Sequence, residues 1–428
     1  MPLYVQVIIG VVFGSIFGVI FKREPIFLGL GNDELGALGM LLIRLLKALA
    51  VPLVLFAILD AFVRTRISAR SGIKLLVICL VNVSVAFAIG LTLMNTLKPG
   101  VGSAERLAAL KGIPNKEAEA SLAIGAKGSI SPLKAIDSYV PESLVDPFLK
   151  NSIIPVVLIA LILGAAMRRV KDSDEAPEMK SIESFIGAGF QILVQVLAWV
   201  VKGVPFAVFA VVAQVVGKAG LGVFGALFPF LGIVLLGMTI HSLLYYPAVA
   251  WLVGGKSPRV YLGQGADAIL MALSTNSSLA TVPVTLKCLT EKMGVSHGSA
   301  RLAACIGTNL NNDGITLYEA MAALFVAQAL GMELTLSQQA VVVLASLMAG
   351  IGIAGIPEAG LVMLPLVLGA MGLPTELVAV AIAFVLPVDW ILARARSAVN
   401  VMSDMLVAIL LDRGQPVRLE DAVEASAK

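Results

Sequence analysis

The last apolar stretch of the chain carries charged and amide side chains at helical spacing. Its residues Asp389, Ala393, Arg396, Asn400 and Asp404 fall within about 80° of one another on an α-helix. A buried arginine beside an amide can hold a carboxylate through two hydrogen bonds, while Asp404 and nearby backbone can hold a cation. The alternative is an arginine paired internally with Asp389. If Arg396 instead holds a carboxylate of the solute, an anionic solute and a cation are predicted to bind together on this helix face.

A serine-rich turn is a second candidate element for anion binding. Residues 274–283 read Ser-Thr-Asn-Ser-Ser-Leu-Ala-Thr-Val-Pro. The backbone N–H groups of such a turn, and the positive end of the half-helix after it, favour an anion. The alternative is a polar loop seated in a protein groove. We expect Asn276, Ser277 and Ser278 to contact the solute.

Polar residues interrupt the apolar stretch that begins near Arg301. The segment 307–314 reads Gly-Thr-Asn-Leu-Asn-Asn-Asp-Gly, and these residue types favour local backbone bonding over continuation of a helix. Carbonyl and carboxylate oxygens at an unwound helix are suitable ligands for sodium; the alternative is a structural polar patch. Further along, Glu319 is an acid within an apolar run, which indicates either a proton carrier or a plain ion pair.

A glycine-rich segment lies in a later apolar stretch. Residues 350–360 read Gly-Ile-Gly-Ile-Ala-Gly-Ile-Pro-Glu-Ala-Gly. The spacing formally matches a dinucleotide-binding loop, but no strand–helix–strand context surrounds it. The composition favours a flexible tip with exposed carbonyl groups.

The composition indicates a polytopic membrane protein. Of the 428 residues, 58% are hydrophobic and 14% are charged, against about 25% charged in a soluble domain. Because a membrane helix needs about 20 apolar residues, we expect spans near 4–21, 36–63, 72–94, 152–167, 182–216, 221–253, 300–331 and 376–411. Two further stretches, 258–293 and 336–372, are interrupted at their middles. The predicted fold is all-α, with eight transmembrane helices plus two re-entrant helical hairpins.

Basic residues in the short connections predict the orientation. They concentrate in alternate loops, and loops rich in Lys and Arg stay in the cytoplasm. This alternation puts both termini in the cytoplasm only if each interrupted stretch enters and leaves on the same side. The two hairpins then open on opposite faces, which is the mark of an inverted repeat with a binding site at mid-membrane.

Several classes of protein are disfavoured by composition. A net charge of +3 without a basic stripe argues against nucleic-acid binding. Two histidines and three cysteines (Cys79, Cys288 and Cys305) give neither a metal cluster nor a disulfide scaffold. An intramembrane hydrolase is the enzymatic alternative, but nothing in the sequence places Ser277, His241 and Asp313 together, so we expect no enzyme activity and no organic cofactor.

The sequence from about His241 to Asp404 resembles the glutamate transporter family, the dicarboxylate/amino acid:cation symporters. The resemblance rests on the serine-rich tip, the Ala-Gly-Ile-Pro tip at 354–357, and Val-Asp-Trp at 388–390 with the Asn400-Val401 pair. The family's Asn-Met-Asp-Gly-Thr signature appears as Asn-Asn-Asp-Gly-Ile at 311–315. The first 240 residues are similar in span order and length.

The resemblance implies a homotrimer whose protomers work as elevators. The implied division is scaffold at 1–71 and 152–217, transport domain at 72–100 and 218–412, extracellular connection at 101–151 and cytoplasmic tail at 413–428. The second hairpin would be the extracellular gate. A bacterial inner membrane is the expected location.

The resemblance also implies roles for the site residues. Arg396 would clamp the distal carboxylate of the solute, and Asn400 with the serine-rich tip would hold the other. The residues expected around the solute are Asn276, Ser277, Ser278, Ile315, Gly355, Ile356, Pro357, Glu358, Ala393, Arg394, Arg396, Ser397 and Asn400. The cation ligands expected are Gly307, Asn309, Asn311, Asp313, Asn400, Asp404, Gly350, Ile351, Ile353 and Asn82. Glu319 matches the acid that carries a proton in animal members.

Departures from the family pattern bear on the substrate. Members that transport amino acids place an aspartate where this chain has Ala393, and a buried ammonium group without that partner is costly. Ile315 replaces a threonine at the substrate carboxylate, and Asn82 with Val83 replaces a Thr-Ser pair at a cation site. We therefore expect a C4-type dicarboxylate carried with sodium, with proton coupling and the number of cations left open. The alternatives are a sodium-coupled transporter of aspartate, glutamate or another amino acid, and more remotely an anion channel.

Overall fold

The computed structural model describes residues 3–22, 24–25, 31–64, 69–103, 140–149, 153–172, 179–308, 311–352 and 359–413. Within these ranges every regular element is helical, as predicted. The main helices are α1 Leu3–Phe21, α2 Asn32–Arg64, α3 Ala69–Leu97, α4 Ile153–Lys171, α5 Met179–Lys202, α6 Val204–Ala219, α7 Gly222–Leu252, α8 Gly265–Thr275, α9 Ser278–Lys287, α10 His297–Arg301, α11 Asp313–Ala329, α12 Leu336–Gly352, α13 Ala359–Ala370 and α14 Thr375–Asp412. A single helical turn, Asp146–Leu149, precedes α4.

Several of these helices have the length and composition of membrane spans. Within the described ranges, four helices satisfy both: Gly72–Leu97, Met179–Lys202, Gly222–Leu252 and Leu377–Asp412. Large apolar side chains lie exposed on the outer helices, for example Phe13, Phe185 and Trp199, each more than half exposed. An exposed apolar surface of this kind suits lipid. The described part of the chain is therefore all-helical and consistent with a polytopic membrane protein, and the count of eight spans stays a prediction.

One predicted span is divided in two. The stretch 182–216 exceeds thirty residues and its Pro205 predicts a break; in the structure α5 ends at Lys202 and α6 begins at Val204. Gly203 lies between them, and Pro205 occupies the first turn of α6. Proline lacks the N–H that would bond to the preceding turn, so it is well placed in the first turn of a helix. Pro229 and Pro387, in contrast, lie inside helices that continue past them.

Helices α1, α2, α4, α5 and α6 pack mainly on one another. On α1, Gly10, Gly14 and Gly18 face α6 at spacings of four residues. A Cβ atom added at Gly18 would lie 2.7 Å from the carbonyl oxygen of Ala213, so only glycine permits this approach. Small residues that let two helix backbones come close are typical of helix pairs in membranes.

The other helices surround α11, which is buried along nearly its whole length. It packs on α3, α12, α13 and α14, while α8 and α7 pack on α14. The two groups touch where α6 meets α14, where α4 meets α12 and where α2 meets α13.

The first hairpin reverses direction at Asn276. This residue ends α8 in the left-handed conformation (φ 54°), which asparagine tolerates better than most residues. Ser277 then caps α9, because its Oγ accepts a hydrogen bond from the backbone N–H of Ala280 at 3.1 Å. The sequence Asn-Ser-Ser therefore produces the tight helix–turn–helix reversal that brings the serine-rich tip inside the protein.

The predicted interruption before α11 is confirmed. A π-helical stretch, Leu302–Gly307, follows α10, and residues 311–312 have no helical conformation before α11 begins at Asp313. Six predicted site residues, Asn309, Ile353, Gly355, Ile356, Pro357 and Glu358, lie outside the described residues. The same holds for most of the 101–151 connection and for the tail beyond Arg413.

Candidate solute and cation sites

A cavity with about 210 Å³ of space lies where the first hairpin, α11, α13 and α14 meet. Its lining residues are Asn276, Ile315, Ala359, Ala393, Arg396, Ser397 and Asn400. Six of these seven are among the residues expected around the solute. The exception is Ala359, the first residue of α13, which lies within the glycine-rich segment 350–360 but was not among the expected contacts. The structure thus gathers residues from four segments around one small polar space.

Arg396 is held on three sides. Its Nη1 and Nη2 atoms donate to Asp389 Oδ1 at 2.8 Å and Oδ2 at 3.2 Å. The Cζ atom lies 4.0 Å from the centroid of the Tyr318 ring, a cation–π contact. The third side is closed by the backbone at Gly360, where an added Cβ would come within 2.7 Å of Nη2. The internal pairing with Asp389, offered above as the alternative, is the arrangement observed.

This pairing leaves donors for a second carboxylate. A guanidinium group has five N–H donors, and the two bonds to Asp389 use two of them. Arg396 also lines the cavity although its exposed fraction is only 2%. Its pairing with Asp389 and a clamp on a solute carboxylate are therefore compatible.

Asn400 connects α14 to the unwound segment. Its Oδ1 accepts from the backbone N–H of Gly314 at 2.8 Å, and its Nδ2 donates to Asn312 Oδ1 at 3.0 Å. Asn312 Nδ2 in turn donates to the backbone carbonyl of Gly350, in the second hairpin, at 2.8 Å. One relay of side-chain amides thus joins the small cavity, the break before α11 and the end of α12.

Asp404 forms one buried oxygen cluster with residues of the unwound segment. Its Oδ2 accepts from Thr308 Oγ1 at 2.8 Å, and its Oδ1 accepts from Asn311 Nδ2 at 3.3 Å. The Gly307 carbonyl accepts from the backbone N–H of Asn311 at 2.6 Å. Within the described part of the chain, Asn311 Oδ1 has no hydrogen-bond partner although it is buried. A buried acceptor without a donor suits a hard cation.

Asp313 forms a second buried cluster, which includes residues that the sequence did not indicate. Its Oδ2 accepts from Ser403 Oγ at 2.7 Å and from Tyr246 Oη at 2.8 Å, and His241 Nε2 lies 3.4 Å away. His241 belongs to a π-helical stretch of α7, Ile240–Tyr245, and such stretches are frequent at functional sites. Among the described residues, Asn82 is linked to this cluster through Tyr245, whose hydroxyl donates to Asn82 Oδ1 at 3.0 Å and whose ring stacks on His241.

A second cavity, with about 500 Å³ of empty space, lies between α3, α11 and α12. Its polar wall consists of Asn312, Asp313 and Thr316, and the remainder is mostly apolar. Ile351, a predicted cation ligand in the second hairpin, lines it as well. The Asp313 cluster therefore borders open space on the side of α3.

Glu319 is fully buried on α11. Across the described residues, neither of its carboxylate oxygens has a hydrogen-bond partner, and no salt bridge to it is found. The plain ion pair considered above is therefore not the arrangement observed. An ionised carboxylate in such surroundings is costly, whereas a protonated one is neutral.

Three expected solute contacts lie outside the lining of the small cavity. Arg394 directs Nη1 to the backbone carbonyl of Trp390 at 3.1 Å. Ser277 is engaged as the cap of α9, and Ser278 is buried beside it. These positions do not place them against a solute in this conformation.

Comparison with known proteins decides the family. A profile of the sodium:dicarboxylate symporter family matches residues 3–414. The chain belongs to this family.

Several animal proteins named as excitatory amino acid transporters are similar to this chain. The chain is 34% identical to excitatory amino acid transporter 1 of Bos taurus over 259 residues, which are 60% of this chain and 46% of that protein. It is 28% identical to excitatory amino acid transporter 1 of Ambystoma tigrinum over 437 residues, covering 87% of this chain and 76% of the relative. A putative sodium-dependent excitatory amino acid transporter, glt-4 of Caenorhabditis elegans, is 32% identical over 276 residues, which are 64% of this chain and 53% of that protein. The chain thus matches about half the length of the bovine relative.

The symporter family consists of transporters and not of enzymes, in line with the expectation from sequence. His241 and Asp313 do lie together, but the serine beside Asp313 is Ser403, and its hydroxyl donates to the carboxylate and not to the histidine. Ser277 lies at the tip of the first hairpin with other partners. Over the described chain, no group of three or more His, Cys, Asp or Glu side chains is placed to hold a metal ion.

Proposed function

We propose that this protein is a secondary active transporter that carries an acidic amino acid across the membrane together with sodium. The observation that carries the proposal is the arrangement on α14. Arg396 lines the small cavity, and Asp404, two turns further along, lies in a buried oxygen cluster. A binding site for an anion beside one for a cation on the same helix is what coupled transport requires.

Sodium suits the two carboxylate clusters. Asp404, Asn311 and the Gly307 and Asn400 carbonyls would hold one ion, and Asp313 with Asn311 would hold another. The buried, unpaired Asn311 Oδ1 supports this assignment, because a cation would supply the missing partner. A further ion in the gate would use the carbonyls of Gly350, Ile351 and Ile353. Of these, the Gly350 carbonyl already accepts a hydrogen bond from Asn312.

The substrate assignment differs from the one favoured by sequence. A C4-type dicarboxylate was preferred because of Ala393, whereas the relatives are named as excitatory amino acid transporters. The relatives therefore favour aspartate or glutamate as the solute. Ala393 lines the cavity without an acidic group for an amine, and this keeps a dicarboxylate as the second candidate.

Proton coupling is part of the proposal. Glu319 is buried next in sequence to Tyr318, whose ring packs on Arg396. A carboxyl group without a hydrogen-bond partner or ion-pair partner is stable when it carries a proton. Glu319 would thus take a proton across the membrane together with the solute.

We also propose the assembly and movement that the family resemblance implies. Helices α1, α2, α4, α5 and α6 would be the static scaffold of a homotrimer, and the helices around α11 would move as an elevator. The sparse contacts between the two groups, chiefly α6 with α14, α4 with α12 and α2 with α13, support this division. A bacterial inner membrane and cytoplasmic termini stay predictions.

The substrate proposal can be tested in proteoliposomes under an inward sodium gradient. Uptake of labelled aspartate is compared with uptake of labelled succinate at equal concentration. Accumulation of aspartate supports the proposal. Accumulation of succinate alone would show that the missing acid at Ala393 changes the substrate class.

A further inference from the structure

Two buried carboxylates, Asp313 and Asp404, lie on different helices without a lysine or arginine partner among the described residues. Each has an exposed fraction of 1%. Their hydrogen-bond donors are hydroxyl and amide groups, together with His241 at 3.4 Å from Asp313. Buried acids with neutral donors need a cation or a proton to offset their charge.

Ser403 connects the two carboxylates. Asn311 Nδ2 donates to Ser403 Oγ at 2.8 Å, and Ser403 Oγ donates to Asp313 Oδ2 at 2.7 Å. The same Asn311 Nδ2 lies 3.3 Å from Asp404 Oδ1. A serine hydroxyl has a single proton, so its bond to Asp313 leaves only acceptor capacity toward Asn311. The chain of bonds therefore runs in one direction, from Asn311 through Ser403 to Asp313.

Asn311 is shared between the two ends of this chain. Its buried Oδ1 has no hydrogen-bond partner in the described structure, and its Nδ2 serves both Ser403 and Asp404. A cation beside Asp404 that binds Asn311 Oδ1 contacts the same planar amide group whose Nδ2 donates to Ser403. Since the amide is rigid, its displacement changes the hydrogen bond to Ser403 and hence the donor that Asp313 receives.

We propose that the Ser403 hydroxyl is a positioning residue that couples cation binding at Asp404 to cation binding at Asp313. The coupling rests on the proposed sodium-coupled function. In this arrangement the first cation orients the Asn311 amide and the Ser403 hydroxyl for the second, and because coupling between two sites is reciprocal, each site raises the affinity of the other by the same factor. The two sodium ions then bind cooperatively in the absence of solute.

The test is sodium binding to the purified full-length protein without solute, measured by the rise in Tm as sodium replaces choline. The wild type is expected to give a sigmoidal sodium dependence. Ser403→Ala removes the hydroxyl without adding bulk. We expect its Hill coefficient to fall toward 1 and its half-saturating sodium concentration to rise about tenfold. A hydrogen bond to a charged group contributes at least the free energy that corresponds to this change in affinity. Ser403→Thr, which keeps the hydroxyl, is expected to retain a sigmoidal curve. Ser84→Ala is the matched control, because the Ser84 hydroxyl donates to the Leu80 carbonyl within the exposed face of α3.

The outcomes separate this inference from the proposed function. A wild type that shows no sodium dependence contradicts sodium coupling itself. A sigmoidal wild-type curve that Ser403→Ala leaves unchanged overturns the role of Ser403 and leaves the transport proposal intact. If Ser403→Ala does not fold, Ser403→Cys, whose thiol is a weak donor, is measured instead; a lowered Hill coefficient supports the coupling, and an unchanged curve overturns it.

Discussion

Asp389 and Arg396 form a buried ion pair through two hydrogen bonds, seven residues apart on α14. The pair fixes the guanidinium plane against the Tyr318 ring at the edge of the solute cavity. Asp389 therefore balances the charge of the arginine and keeps its guanidinium group oriented when no solute carboxylate is present.

Removal of the Asp389 charge is expected to destabilise the protein strongly. In Asp389→Asn the shape is kept, but the buried guanidinium loses its anionic partner, at a cost of about 3–5 kcal/mol. The measurement is the Tm of the purified protein. Asp172→Asn is the control, because Asp172 pairs with Arg168 at 2.8 Å on an exposed helix end, where ion pairs contribute about 0–1 kcal/mol. Equal losses of Tm in the two variants would contradict the importance of the buried pair.

Gly360→Ala is expected to weaken solute binding without changing sodium binding. An added Cβ would come within 2.7 Å of Arg396 Nη2, so the guanidinium group must move out of its position. We expect a loss of solute affinity of tenfold or more, measured by calorimetric titration at saturating sodium. Gly369→Ala on the same helix α13 is the control, since a Cβ there meets no atom within 4 Å. Unchanged affinity in Gly360→Ala would show that the Arg396 position is not needed.

Most residues that line the small cavity could be named from the sequence, whereas most partners of Asp313 could not, for a physical reason. Asn276, Arg396, Ser397 and Asn400 are recognisable because capping preferences and helical spacing are local properties. The partners of Asp313 lie 67 to 90 residues away in the chain, so no local sequence pattern predicts that they contact it. The break near Pro205, by contrast, is a local property of the sequence, because proline favours the first turn of a helix.

Glu319→Gln is expected to remove the pH dependence of net uptake. The amide is nearly the same size as the carboxyl group but cannot carry a proton across the membrane. Net uptake of labelled solute is measured between pH 5.5 and pH 8, a range of about two to three units that covers physiological conditions. The control is Glu333→Gln, which alters an exposed acid after α11. A Glu319→Gln variant that still acidifies the vesicle lumen during uptake would place proton coupling elsewhere.

Ala393→Asp is expected to raise the affinity for an amino acid and to lower the affinity for a dicarboxylate. The new carboxylate would face the cavity that Ala393 lines, where it attracts an ammonium group and repels a second anionic group. Competition of aspartate and succinate for the same site gives both affinities in one assay. Unchanged selectivity would show that the solute amine is recognised by other groups.

The most direct test of coupled transport is the steady-state ratio of internal to external labelled aspartate in proteoliposomes, measured as the sodium gradient is varied. We predict that the ratio exceeds 1 under an inward sodium gradient, falls below 1 when the gradient is reversed, and returns to 1 when an ionophore dissipates it. An aspartate ratio that stays at 1 under every gradient, together with the same result for succinate, would contradict sodium-coupled transport of an acidic solute.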